Sequence, residues 1–186
     1  MRHALAIALL MLLGGCASQS CDQPWSDSRC RAERLLYQND LLQAKILIAS
    51  GDEEGYELAD ALLDRSAPQD RRGETEFYQA LLMIRLGPEP SEVLHLLEKA
   101  KDKGHPHAVA LLYKIYMEPY LVEERDIAKA DAYREAYAQL DVAQSGYPSF
   151  EKALALVSQL VEPPPPAAEY RAPCPQYCLE QAQQPR

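Results

Sequence analysis

The strongest constraint on the fold is a regular alternation between apolar helical stripes and short Gly- and Pro-rich breaks. Between about residue 29 and residue 161, apolar residues recur every three to four positions, and the alternation typical of strands is absent. Ala, Leu, Glu, Lys and Gln, which favour helices, dominate this stretch. The breaks predict about seven helices, over approximately 28–50, 52–65, 72–86, 91–103, 106–117, 126–145 and 148–161.

The first helix shows how a buried face is predicted from spacing. Leu35, Leu42, Ile46 and Ala49 lie on one face of this helix. An apolar stripe of this kind normally packs against the core of a protein. We therefore expect this face of the first helix to be buried.

Two stretches of the chain repeat the same order of elements. The first begins with Ala-Leu-Leu at 80–82, continues with Glu89-Pro90 and a helix, and ends with a Gly-x-Pro corner at 104–106. The second begins with Ala-Leu-Leu at 110–112, continues with Glu118-Pro119 and a helix, and ends with a Gly-x-Pro corner at 146–148. In each corner a Gly ends one helix and a Pro begins the next. Repeated helix pairs of this length predict an all-α fold, an α-solenoid of stacked antiparallel helix pairs over residues 29–161.

One junction is similar to a known repeat family. The stretch 97–108 (Leu-Glu-Lys-Ala-Lys-Asp-Lys-Gly-His-Pro-His-Ala) and the later Asp126-Ile127-Ala128-Lys129-Ala130 resemble Sel-one-like repeats, relatives of the tetratricopeptide repeat. The sequence departs from that pattern at Tyr113, where a small residue is usual, and at 117–121, where a Gly-x-Gly loop is usual. The resemblance covers residues 97–145 and implies a protein-binding helical repeat.

The N-terminal residues predict where in the cell the protein is located. Arg2 precedes ten apolar residues, 4–13, which are too few to span a bilayer. Leu13-Gly14-Gly15-Cys16 resembles the lipobox of bacterial lipoproteins. The resemblance implies that residues 1–15 are a signal peptide and that Cys16 carries palmitate-type acyl chains. With Ala17 and Ser18 next, it implies an outer-membrane lipoprotein whose body faces the periplasm.

Charge and cysteine content limit the partners. The net charge of −9 becomes −10 once Arg2 is removed, which argues against nucleic acid. The other cysteines, an even number in an exported chain, are candidates for disulfides. Local pairs and a link between the N-terminal arm and the C-terminal tail both remain open, and zinc is a less favoured alternative. These candidates are Cys21, Cys30, Cys174 and Cys178.

No motif in the sequence specifies a reaction. Phosphate loops, GxSxG and HExxH motifs are absent, so we predict no catalytic residues, no cofactor and no metal. His105 and His107 are close enough in sequence for a metal site, but a surface corner with polar residues is the favoured interpretation. Eleven tyrosines and two phenylalanines are more notable, because tyrosine is enriched at interfaces.

The tyrosines allow two interpretations. Most of them pack between helices with the hydroxyl reaching water, or some of them line a partner groove. The candidate groove residues are Tyr113, Tyr116, Tyr120, Tyr133 and Tyr137.

Together these features predict a non-enzymatic, lipid-anchored scaffold. Residues 16–28 would link the lipid to the helical domain, and residues 162–186 would form a tail rich in Pro and Gln. The partner would be an envelope protein or peptide segment in secretion, pilus or exopolysaccharide machinery. A peptidoglycan-binding or peptidoglycan-active protein and a regulator of an envelope enzyme are the alternatives.

Overall fold

The computed structural model describes residues 28–51, 53–146 and 148–161, in a chain that forms two units, residues 1–36 and 37–186. In the first unit the described residues, 28–36, are helical. Cys30 lies there, buried and disulfide-bonded. The predicted signal peptide, the lipid-bearing Cys16, the other three cysteines and the tail lie outside the described residues, so the disulfide connectivity stays a prediction.

The described residues form an all-α helical-repeat fold, with helices that are adjacent in sequence packed as pairs. They contain no strand, and among them no helix is both long and apolar enough to cross a bilayer. The α-helices are α1 (Ser28–Ser50), α2 (Glu53–Ser66), α3 (Glu74–Leu86), α4 (Pro90–Asp102), α5 (Pro106–Met117), α6 (Ile127–Ala138), the single turn α7 (Asp141–Gln144) and α8 (Phe150–Val161).

The central element of the second unit is α5. Its run from Ala108 to Leu112 is buried on every side, as a helix that is apolar all round requires. It packs against α4, α6 and α8, and α3 packs against α4. One apolar cluster therefore joins five helices, from Phe77 on α3 to Val157 on α8.

A second apolar cluster lies between α1, α2 and α3. On α1 it contains Leu41, Ala44 and Ile48. The prediction that Leu42 and Ile46 face inward is wrong, because these side chains are 58% and 59% exposed. Both sides of α1 carry apolar residues at helical spacing, so periodicity alone could not identify the buried side.

The start of α3 also differs from the prediction. Residue 73 is a glycine at φ +73°, a left-handed conformation that favours glycine, so the helix begins at Glu74 and not at 72. A Cβ atom at this position would lie 2.7 Å from the Cα atom of Ala100. Gly73 therefore allows the chain before α3 to approach the backbone of α4.

Arg85 ties together the ends of two helices. Its guanidinium donates hydrogen bonds to the carbonyl of Ile48, near the end of α1, and to the carbonyl of Leu160, near the end of α8 (2.9 Å for the latter). The last four carbonyls of a helix have no partner inside the helix, so a cation there satisfies them and interacts favourably with the helix dipole. Arg85 thus links α3 to the C-terminal ends of α1 and α8.

We predict that Arg85→Met lowers the free energy of unfolding by about 2–3 kcal/mol, since two carbonyls lose hydrogen bonds from a charged donor. Chemical denaturation followed by circular dichroism measures the change. Lys99→Met is the matched control, because Lys99 is an exposed cation on α4 and should change stability by less than about 0.5 kcal/mol. Equal stability of the two variants would contradict the capping role.

Candidate functional site

The corner between α4 and α5 is built by backbone geometry. Gly104, at φ +82°, donates its amide to the carbonyl of Lys101 (2.8 Å), and His105 donates its amide to the carbonyl of Ala100 (3.0 Å). These two hydrogen bonds form a Schellman motif, which ends α4. Pro106 then begins α5, as the sequence predicts.

A pocket of about 710 Å³, the corner pocket, opens beside this corner. Lys45 of α1, Arg72 and two residues of α3, Glu74 and Tyr78, form part of its wall. The rest comes from residues 103–107 and 139–142. Its size is typical of sites that hold a ligand or a short chain segment.

Beneath the corner lies a buried polar network. The carboxylate of Asp70 accepts hydrogen bonds from the amides of Arg72 and Thr75 (2.9 Å each) and from the Thr75 hydroxyl (2.7 Å). Lys103 donates to the carbonyl of Asp70 (3.1 Å) and forms an ion pair with Glu76. This network fixes the loop before α3 against the end of α4.

Hydrogen bonding decides the protonation of Asp70. Burial acts to raise the pKa of its carboxyl group, but the hydrogen bonds that it accepts from the Thr75 hydroxyl and from the amides of Arg72 and Thr75 hold that pKa well below its usual range. Asp70 is therefore ionised at neutral pH. The neighbouring Tyr37 hydroxyl, which donates to it at 3.2 Å, has a raised pKa because of burial and because Asp70 and Glu74 are negative.

His105 is a buried helix cap and not part of a surface corner, so the interpretation favoured from the sequence is wrong for this residue. Its Nδ1 atom accepts a hydrogen bond from the Ala108 amide (3.2 Å), and its ring stacks on Phe77 with centroids 4.6 Å apart. Burial, His107 and Lys45 lower the pKa of His105 to about 3. The ring is therefore neutral at pH 7 and carries its proton on Nε2.

His107 lies 5.5 Å from His105 between ring centroids. Burial and the positive charge of Lys45 lower its pKa. In the described part of the chain, no group of three His, Cys, Asp or Glu side chains is arranged to hold a metal ion. Both histidines line the corner pocket.

The charged groups of the corner pocket differ in whether they form ion pairs or hydrogen bonds with neighbouring residues. Lys45 forms an ion pair with Glu74, and its ammonium lies 5.0 Å from the centre of the Tyr78 ring. The Arg72 side chain is exposed and makes no hydrogen bond or ion pair with any described residue. Among the cations that line this pocket, Lys45 and Lys103 are paired with carboxylates, whereas the Arg72 guanidinium has no such partner among the described residues.

The five tyrosines predicted as a groove do not form one exposed surface. Tyr116, Tyr133 and Tyr137 are buried in the main apolar cluster, and Tyr113 is partly buried with its ring edge-on to Phe150. The rings of Tyr116 and Tyr133 stack at 5.7 Å. The structure thus favours the other interpretation, that most of these tyrosines pack between helices.

The buried tyrosine hydroxyls bond to neighbouring groups. Tyr133 donates to the carboxylate of Glu98, and Tyr137 donates to the carbonyl of Pro148 (2.7 Å). Lys129 donates to the Tyr116 hydroxyl (2.6 Å). Replacing these tyrosines would therefore test packing and not partner binding.

Tyr120 alone among the five is largely exposed, at 48%. It lines a second and smaller pocket of about 420 Å³ with a mainly apolar floor. Leu111, Ile115 and Val161 form that floor, and Lys114 and Glu118, which pair with each other at 2.5 Å, lie at its edge.

Sequence reasoning missed the corner pocket because its walls come from distant positions. Lys45 and Arg72 are ordinary surface residues in the sequence, and neither belongs to a motif. The Gly104-His105-Pro106-His107 corner was the only available signal. A residue that follows a C-terminal Gly and precedes Pro is well placed to cap the next helix, and His105 does so.

We predict that His105→Asn flattens the pH dependence of stability between about pH 6 and pH 4. Without the substitution, the unfolded chain binds a proton on the His105 imidazole below the usual pKa of about 6.5, whereas the folded chain binds this proton only at about pH 3. The contribution of His105 to the free energy of unfolding is therefore highest above pH 6.5 and falls by about 1.4 kcal/mol per pH unit below it.

Asparagine can keep the cap on α5 but does not titrate. Urea denaturation at pH 7, 6, 5 and 4 gives the slopes. His95→Asn, at an exposed position on α4, is the control and should keep the native slope. An unchanged slope in His105→Asn would show that His105 is protonated in the folded state.

Comparisons with protein-family models, with curated proteins and with solved structures found no match to this chain.

Proposed function

We propose that this protein is a lipid-anchored helical-repeat adaptor of the bacterial envelope. It binds a segment of another envelope protein in the corner pocket. The observation that carries the proposal is that the exposed Arg72 side chain, which makes no hydrogen bond or ion pair with any described residue, lines the corner pocket. The anchor is Cys16, and the body works at the periplasmic face of the outer membrane.

The chemistry of the pocket favours an acidic partner segment. Arg72 offers a planar set of donors that suits a carboxylate, and the His105 Nε2–H is a second donor by its tautomer. The pocket lining contains three cations, Lys45, Arg72 and Lys103, and two carboxylates, Glu74 and Asp141, in a protein with a net charge of −9. Arg72 is the part of this lining that attracts a carboxylate. Tyr78 and His107 add apolar contact area.

The same groups favour binding over catalysis. A general acid or base works best with a pKa near the working pH, but the pKa of His105 is about 3 and its Nδ1 atom already caps α5. Asp70 and Glu76 are buried and bonded to Thr75 and Lys103. These side chains hold the corner in place.

We predict that Arg72→Glu reduces recovery of the native partner at least about tenfold, because the new carboxylate would repel the acidic partner segment that Arg72 binds. The measurement is a crosslinked pull-down of the full chain from native envelopes, read by quantitative mass spectrometry. Lys99→Glu, the same charge reversal at an exposed position outside the pocket, is the control and should recover the partner normally.

Three results would contradict binding at this site: equal loss in both variants, equal recovery in both, or recovery of cell-wall fragments and no protein partner. The last result would favour the peptidoglycan alternative. Circular dichroism of each variant checks that the helices remain folded.

We predict further that the chain incorporates a fatty-acid analogue on Cys16. Growth of expressing cells with an alkyne-tagged fatty acid, followed by purification and gel fluorescence, measures the label. Cys16→Ala should abolish it, and Cys21→Ala, a matched substitution five residues on, should leave it unchanged. An unlabelled native chain would contradict the lipid anchor without affecting the Arg72 result.

A further inference from the structure

Helix α1 has an apolar face that nothing in the described part of the chain covers. Leu42 and Ile46 are 58% and 59% exposed, and Asn39 and Ala49 on the same side of the helix are exposed too. The opposite side of α1 is buried in the second apolar cluster. We call the exposed side, formed by Asn39, Leu42, Ile46 and Ala49, the α1 stripe.

The α1 stripe has the spacing of an amphipathic helix, and over fewer than two heptads it also fits a short two-stranded coiled coil. Steps of three, four and three residues separate its four members, so Asn39 and Ile46 take the a positions and Leu42 and Ala49 take the d positions of a heptad. Leu35, in the first unit, is the preceding d position in the sequence and is 64% exposed. Ile at a with Leu at d is the combination that favours a parallel dimer.

We propose that the α1 stripe is the docking surface for a second copy of this chain, which pairs through a short parallel coiled coil. The stripe is self-complementary in this arrangement, because each a residue meets the same residue of the other copy. This self-association goes beyond partner binding in the corner pocket.

Asn39 favours a second copy of this chain over an unrelated apolar partner. A single Asn at an a position fixes the register and the dimeric state of a coiled coil, because the two amides hydrogen-bond to each other. In the single chain the Asn39 side chain hydrogen-bonds to Asp40. An amide has two N–H donors and a carbonyl acceptor, so it retains groups for a partner amide.

Charge also selects this surface for self-association. Two copies that each carry a charge of −9 repel one another over most approaches. The α1 stripe is uncharged, and of the residues that flank it, Gln38, Gln43 and Ser50 are uncharged and exposed, whereas Lys45 is charged and is paired with Glu74. Two copies can therefore meet along this stripe without opposing carboxylates.

The length of chain before α1 supports the parallel orientation, an argument that rests on the proposed acylation of Cys16. Residues 17–27 can span at most about 40 Å, at roughly 3.5 Å per residue. The beginning of α1 is then held near the same bilayer in every copy. Tethering raises the effective concentration of α1 for another copy and favours parallel over antiparallel pairing.

The test is photo-crosslinking of the full chain in native envelopes, with a benzophenone amino acid at position 42. We expect a product of twice the monomer mass that contains only this chain by mass spectrometry. The control is the same amino acid at position 58, since Leu58 is an exposed leucine on α2 (52%) outside the stripe. Position 58 should give at most about a tenth of the dimer.

The substitution Asn39→Asp tests the register. It places two carboxylates against each other at the a position, so we expect the crosslinked dimer to fall at least about tenfold. The same substitution removes the hydrogen bond from Asn39 to the buried Asp40, so circular dichroism and chemical denaturation must show that the single chain remains folded.

Several outcomes would overturn the proposal: no dimer from position 42, equal dimer from position 58, or an unaltered dimer in Asn39→Asp. Adducts at position 42 only to lipid, to residues 162–186 of the same chain or to a different protein would also overturn it. The Cys16 label and the Arg72 pull-down report on the proposed function separately, so failure of pairing and failure of partner binding are distinguishable.

Discussion

The burial of α5 on all sides is the constraint on which the rest of the second unit depends. A helix with an unbroken apolar run from Ala108 to Leu112 is stable in water only when other helices surround it, and α4, α6 and α8 do so. The start of α5 must then sit at a fixed point inside the unit. The corner at Gly104 and the cap by His105 meet this requirement, and the corner pocket is a consequence of it.

Polar interactions hold in place the helices and loops that apolar packing brings together. The Asp70 network holds the loop before α3 against α4, and Arg85 holds the ends of α1 and α8 against α3. Each of these buried ionic groups has its hydrogen-bonding partners, apart from the Arg85 Nε atom. In the proposed complex, the Asp70 network holds the backbone amide of Arg72 in place, whereas the exposed Arg72 side chain becomes ordered only when a carboxylate binds.

The sequence predicts helix positions well and side-chain roles poorly, for physical reasons. Gly and Pro set helix ends through local backbone geometry, so the prediction for 106–117 agrees with α5. Which side of α1 is buried depends on α2 and α3, which no local pattern encodes. Residue type does not show which tyrosines are buried, because the neighbours that bury Tyr116, Tyr133 and Tyr137 but leave Tyr120 exposed come from other helices, and the same holds for the buried His105. The corner pocket joins residues from 45 to 142 and has no sequence signature.

The central claim is that a protein segment binds in the corner pocket, and hydrogen–deuterium exchange tests it most directly. The full chain is measured alone and with the partner recovered from envelopes. The account predicts slower exchange in the amides of 103–107 and 139–142, two segments that line the pocket. Slower exchange confined to other helices, with these two segments unchanged, would contradict it.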